Sequence, residues 1–180
     1  MKAIVKIVLI GSILIPSFTY ANVSEKKDTT EATACLKVTG KAVDENYQAI
    51  DGVEVRLFKH DDMIEQKDLT NVGHHDHNFI FILESNEYYT IKISKPGFVE
   101  RWVGIYTTLP SGVKIESLFY YEFDVVLFRE KKMDDYYLDF PIALIRYWEK
   151  SGSFDCNTAY TDFITAKIEE AECFADFSSK

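Results

Sequence analysis

Histidine and carboxylate side chains are the groups in this sequence best able to do chemistry, and the histidines are unevenly placed. Of the four in the chain, His74, His75 and His77 share one turn with Asp76, while His60 stands well upstream. Imidazole and carboxylate are ligand types that zinc, nickel and copper accept. Consecutive side chains on a tight turn splay apart, however, and a stable centre draws its ligands from separate elements held by a further ring of hydrogen bonds. A solvated polar loop is therefore the plainer reading of residues 74–77. A metal site completed by His60 is its alternative. The acidic runs Asp134-Asp135 with Asp139, and Glu169-Glu170 with Glu172, read as solvated faces. Glycosidase carboxylates must oppose each other across a cleft, and the spacing of a calcium-binding EF-hand loop is missing. No Gly-x-Ser-x-Gly elbow is present either, so nothing marks a serine as a nucleophile. The expectation is a chain without catalysis and without a cofactor.

Two further residue types carry recognition or redox potential. The three cysteines, Cys35, Cys156 and Cys173, form no CxxC pair and allow at most one disulfide. A Cys156–Cys173 bridge would tie the C-terminal segment to itself, and buried free thiols are the competing reading. Aromatic residues are abundant, at 13 Phe, 11 Tyr and 2 Trp. Adjacent pairs such as Tyr88-Tyr89 and Tyr120-Tyr121 must point to opposite faces if they lie in strands. Trp102, Tyr106, Tyr120 and Trp148 are accordingly the candidate surface anchors, for a protein partner in the first instance and for a sugar ring as the alternative. Filling the core or covering a sheet edge is the competing use of any one of them.

These groups need elements to hold them. Lys2 and Lys6, the apolar run 7–15, Pro16 and the small-residue site Thr19-Tyr20-Ala21 read as a secretory signal peptide spanning residues 1–21. Its apolar run is about half of what a bilayer span requires, and no later segment is apolar enough. The expected product is an exported chain with no membrane span, periplasmic or associated with the cell envelope. The full chain carries a net charge of −9, and losing Lys2 and Lys6 makes it more acidic still. Such a surface repels phosphate backbones, which excludes nucleic acid as an expected partner. Residues 22–33 are polar and aperiodic and read as a flexible linker.

From Ala34 the hydrophobic period is two. Val53, Val55 and Leu57 alternate with polar neighbours, as do Tyr89, Ile91 and Ile93, and as do Phe119, Tyr121, Phe123, Val125 and Leu127. Runs at 36–43, 78–83 and 99–107 obey the same rule, with 63–69 a weaker candidate. Asp51-Gly52, Ser85-Asn86, Pro96-Gly97 and Pro110-Ser-Gly112 supply turns between them. Short strands separated by regular turns predict an all-β sandwich over residues 34–128. Residues 129–180 form an extension in which 140–148 suits one further strand. Tyr160, Phe163, Ile164, Lys167, Ile168 and Ala171 then recur at helical spacing behind an N-cap at Asn157 or Thr158.

The runs Leu36-Lys-Val-Thr-Gly-Lys-Ala-Val43, Ile50-Asp-Gly-Val-Glu-Val-Arg-Leu-Phe58, Phe79-Ile-Phe-Ile-Leu83 and Tyr89-Thr-Ile-Lys-Ile-Ser-Lys-Pro-Gly-Phe98 together resemble the carboxypeptidase regulatory-like, transthyretin-related domain of exported bacterial proteins. The extension from Asp139 is similar to the segment on the C-terminal side of that domain in envelope proteins of Bacteroidetes-type bacteria. The resemblance implies a seven-stranded antiparallel prealbumin-like sandwich, with one strand and one helix appended, that serves as a folding, spacing or docking module. The expected partner is an envelope protein, met on an aromatic face or an open sheet edge. One branch of these proteins is a hydrolase with a C-terminal Tyr-Arg-Gly-Ser end; this chain ends Asp-Phe-Ser-Ser-Lys180, so that activity does not carry over.

Overall fold

The structure, a computed structural model, describes residues 33–70, 78–130 and 140–178, with side chains as far as residue 168. Nine strands and one helix succeed one another along it: β1 (Ala34–Val43), β2 (Val53–Lys59), β3 (Asp62–Leu69), β4 (Asn78–Glu84), β5 (Tyr88–Ser94), β6 (Arg101–Tyr106), β7 (Phe119–Val126), β8 (Ala143–Trp148), β9 (Ser153–Cys156) and α1 (Thr158–Ser178).

Alternation in sequence becomes burial on one face. Val53, Val55 and Leu57 of β2 lie beside Tyr89, Ile91 and Ile93 of β5 and Val103 and Ile105 of β6 on one face of a single sheet, all buried. Leu36, Val38 and Ala42 of β1, with Phe79, Phe81 and Leu83 of β4, face them from the other layer. Turn chemistry sets the connections. The Phe98 amide donates to the Lys95 carbonyl at 3.0 Å across Pro96-Gly97, and Gly97 sits at φ 81°, so Pro96 presets the first central residue of a type II turn and Gly97 takes the left-handed second.

The strands form two sheets, a three-stranded one in the order β4-β1-β7 and a six-stranded one in the order β3-β2-β5-β6-β8-β9. The chain is thus mostly β, arranged in two sheets as expected, but the pairings are not all antiparallel. β1 runs parallel to β7, and β6 runs parallel to β8. Alternation reports which face of a strand is buried and carries no information on the direction of its neighbours. The extension also differs from the one strand and one helix expected. It contributes two strands, β8 and β9, that continue the six-stranded sheet by hydrogen bonding to β6 and to each other.

Asn157 caps α1: its Oδ1 accepts from the Tyr160 amide at 3.3 Å and its carbonyl accepts from the Thr161 amide at 3.0 Å. Among the described side chains of α1, Ile164 is buried on the face that its spacing predicts to be apolar, whereas Phe163 is exposed. No helix among the described residues is long and apolar enough to cross a membrane.

Candidate functional site

Strand parity decides which anchors share a surface. In the six-stranded sheet Lys92 lies opposite both Arg56 and Trp102, Tyr88 lies opposite Tyr106, and Tyr106 lies opposite Arg146. Each of these alternates with a buried neighbour, so Trp102, Tyr106 and Trp148 all belong to the outer face of this sheet. Tyr120 does not join them. It lies on β7 in the other sheet, opposite Lys37, and is 70% exposed. Three of the four anchors are therefore on one layer and the fourth is on the opposite side of the sandwich.

The best-organised part of that outer face surrounds Trp102. Its Nε1–H donates to Glu100 Oε1 at 2.5 Å, and Lys92 Nζ lies 3.7 Å from the ring centroid. The same ammonium is 4.9 Å from the Phe58 ring, so Lys92 is shared between two aromatics from different strands. Glu100 in turn receives the Arg56 guanidinium at 2.8 Å through its second oxygen. An aromatic anchor, a cation across its face and a carboxylate at its edge therefore hold one another in place, and an indole held this way loses little rotamer freedom on meeting a partner. Trp148 is treated similarly at the far edge: Arg146 stacks 4.1 Å from its ring, and its Nε1–H donates to the Asp155 carbonyl at 3.3 Å.

Tyr106 has a partly structural role. Its ring is 4.6 Å from that of Tyr88, and Tyr160 of α1 donates from its hydroxyl to the Pro141 carbonyl at 2.6 Å beside them. Burial first, and then the phenols of Tyr88 and Tyr106, raise the Tyr160 hydroxyl above the ordinary tyrosine range. Sequence reading missed Phe58, Lys92, Arg56 and Glu100. The signal available was their parity: Phe58 and Arg56 fall in the polar phase of β2, as Lys92 does in β5, so all three had to leave the core.

A second polar cluster closes one end of the sandwich. Lys59 bridges Glu84 at 2.8 Å and Glu87 at 2.9 Å, and His60 Nε2 reaches Glu87 at 3.0 Å. The Glu84 amide donates to the hydroxyl of buried Tyr89 at 3.2 Å, and the Glu87 amide donates to Oγ1 of buried Thr107 at 2.9 Å. His60 is thus engaged with a carboxylate. Its three companions in the metal reading, His74, His75 and His77, and with them Asp76, lie outside the described residues. Among the described residues no group of three or more metal-ligating side chains converges.

Hydrogen bonding to Lys59, opposed in part by burial, holds the Glu87 carboxyl below the usual carboxylate range. A carboxyl depressed in the folded state contributes stability above the unfolded-state carboxylate pKa, and that contribution is lost as pH falls through the folded value. Acidification from about pH 5 towards pH 3 is therefore expected to lower the melting temperature less in Glu87→Gln than in the parent, the variant starting from a lower value at neutral pH. Melting curves across that range would show it, and parallel acid limbs for the two proteins would contradict it.

The cysteines offer no redox centre among the described residues. Cys35 is a free thiol in the core, pushed up to about 11 by burial, which keeps it protonated and unreactive. Cys156 is half-buried, its Sγ 3.2 Å from Thr161 Oγ1, and the side chain of Cys173 lies outside the described residues. No protein-family model matches this chain, and no curated protein sequence matches it.

Proposed function

We propose that this chain is a non-catalytic docking module of the exported, prealbumin-like class, acting in the bacterial periplasm or at the cell envelope, and that it holds a protein partner on the outer face of the six-stranded sheet. The observation that carries this reading is the Trp102 cluster, an indole fixed on two sides by Glu100 and Lys92 with Arg56 and Phe58 beside it. Interfaces concentrate their energy in Trp, Tyr and Arg anchors of this kind, surrounded by polar residues that exclude water on closure. Carbohydrate recognition fits less well, since a sugar ring stacks on an open indole face and each Trp already carries a cation on one face. The signal peptide at residues 1–21 and the resemblance to carboxypeptidase regulatory-like domains support the location and the class.

Crosslinking of the chain in its native envelope, with mass spectrometry of the captured species, tests the reading. A specific partner captured by the parent is expected to be lost from a Trp102→Ala, Trp148→Ala variant and retained by Tyr120→Ala, because Tyr120 lies on the other sheet. Loss in all variants, or in none, would remove the assignment to this face.

A further inference from the structure

Each sheet ends in two edge strands, and an edge presents a row of unpaired amides and carbonyls that other chains can use. Among the described residues three of the four edges are protected. β3 carries Asp62, Glu65, Lys67 and Asp68 within eight residues, and its pairing with β2 is interrupted by a bulge between Leu57 and Phe58. β7 presents Glu122 and Asp124, and β9 is only four residues long. These are the usual devices that block strand addition.

β4 has none of them. Its sequence, Asn-Phe-Ile-Phe-Ile-Leu-Glu, has no proline and no charge before Glu84, and the only irregularity in its pairing with β1 falls at the Glu84 end. Among the described residues no strand pairs with its outer edge. On the solvent face Ile80 is 43% exposed and Ile82 59% exposed. Lys37, the β1 residue opposite Ile82, turns its ammonium the other way, to 5.8 Å from the Tyr120 ring, and so does not cover that isoleucine. Lys67 reaches the Phe81 ring at 5.0 Å, but it does so from β3, on the core side of the strand.

We propose that β4 is the strand through which two copies of this chain pair, antiparallel and about a two-fold axis at Phe81. The occupant is a second copy because the strand is complementary to itself in that register. Ile80 falls opposite the second copy's Ile82 on the outer face, and Phe79 opposite its Leu83 on the inner face. Asn78 meets Glu84, so the one charge in the strand faces a hydrogen-bond donor and not another charge. The dimer has one continuous sheet in which β4 is no longer an edge, the closed isologous arrangement that two-fold symmetry demands.

Sedimentation velocity on the protein purified from its native host is the test. A concentration-dependent dimer is expected, and Ile80→Lys combined with Ile82→Lys should raise its dissociation constant roughly a hundredfold by setting like charges opposite one another across the axis. Both positions are exposed, so circular dichroism and the melting temperature should report an intact fold. Tyr120→Lys, on the same outer face but on β7, should leave the dimer unchanged, as should Trp102→Ala, which keeps this outcome separate from that of partner capture. A chain that sediments as a monomer at about 100 μM, or a dimer indifferent to the paired lysine substitution, would overturn the proposal.

Discussion

Replacing Gly40 with alanine is expected to cost about 3 kcal/mol of folding stability, near the upper end of what overpacking a core site does. Gly40 sits in β1 opposite Phe79 of β4 and Phe123 of β7. A methyl group there would come within 2.2 Å of Phe79 Cζ and within 3 Å of two more atoms of the same ring. The ring cannot retreat. Phe79 is fully buried, with Phe81 at 5.6 Å and Phe123 at 5.9 Å between centroids. Gly104→Ala provides the internal comparison. Its nearest neighbours are Leu144 Cδ2 at 2.7 Å and the Tyr88 hydroxyl at 2.9 Å, the free ends of side chains that can rotate away. Its cost should stay below about 1.5 kcal/mol, offset in part by the smaller entropy of the unfolded chain. Guanidinium unfolding of the two variants would rank them by midpoint at constant slope. If Gly104→Ala proves the more damaging, the Phe79 ring is not the constraint described.

The same contact shows what a sequence reading reaches. That β1, β2, β5 and β7 are strands can be inferred from alternation alone, because burying one face is a property of each strand by itself. That Gly40 must lack a side chain depends on which residue of β4 stands opposite, and register is a property of pairs. The Trp102 cluster was hidden for the same reason. Trp102 was visible as a candidate, yet Lys92, Phe58 and Glu100 become its neighbours only once β2, β5 and β6 are laid side by side. Tyr120 shows the converse, since residue type alone grouped it with three aromatics that the topology assigns to the other layer. β9 was missed outright: Ser-Phe-Asp-Cys is too short for alternation to be read, and it is a strand because β8 lies beside it. The segment 140–148 is recognisable as a strand without its buried face, which the pairing of Ile145 with Ile105 supplies.

Ending the chain after Glu130 is expected to abolish cooperative folding, since β8 and β9 complete the core and are not an appendage to it. Ile145 is 1% exposed and pairs with fully buried Ile105 along the parallel β6–β8 ladder. Phe119, at the start of β7 in the other sheet, has its ring 5.5 Å from Tyr147 and 5.5 Å from Phe154, and those two are 5.7 Å from each other. This edge-to-face cluster joins the two sheets on one side, so removing β8 and β9 uncovers Val103, Ile105 and Phe119 together. Point variants give the same result in smaller steps. Ile145→Ala should cost about 3 kcal/mol and Phe154→Ala about 4 kcal/mol, from lost burial plus the cavity left behind. Phe163→Ala, exposed on α1, should cost no more than about 0.5 kcal/mol. Urea titration of the three variants and of the shortened chain would decide the matter. If the shortened chain unfolds in a single sharp transition, with a midpoint near that of the full chain, the sandwich closes without β8 and β9 and the Phe119 cluster does not join its two sheets.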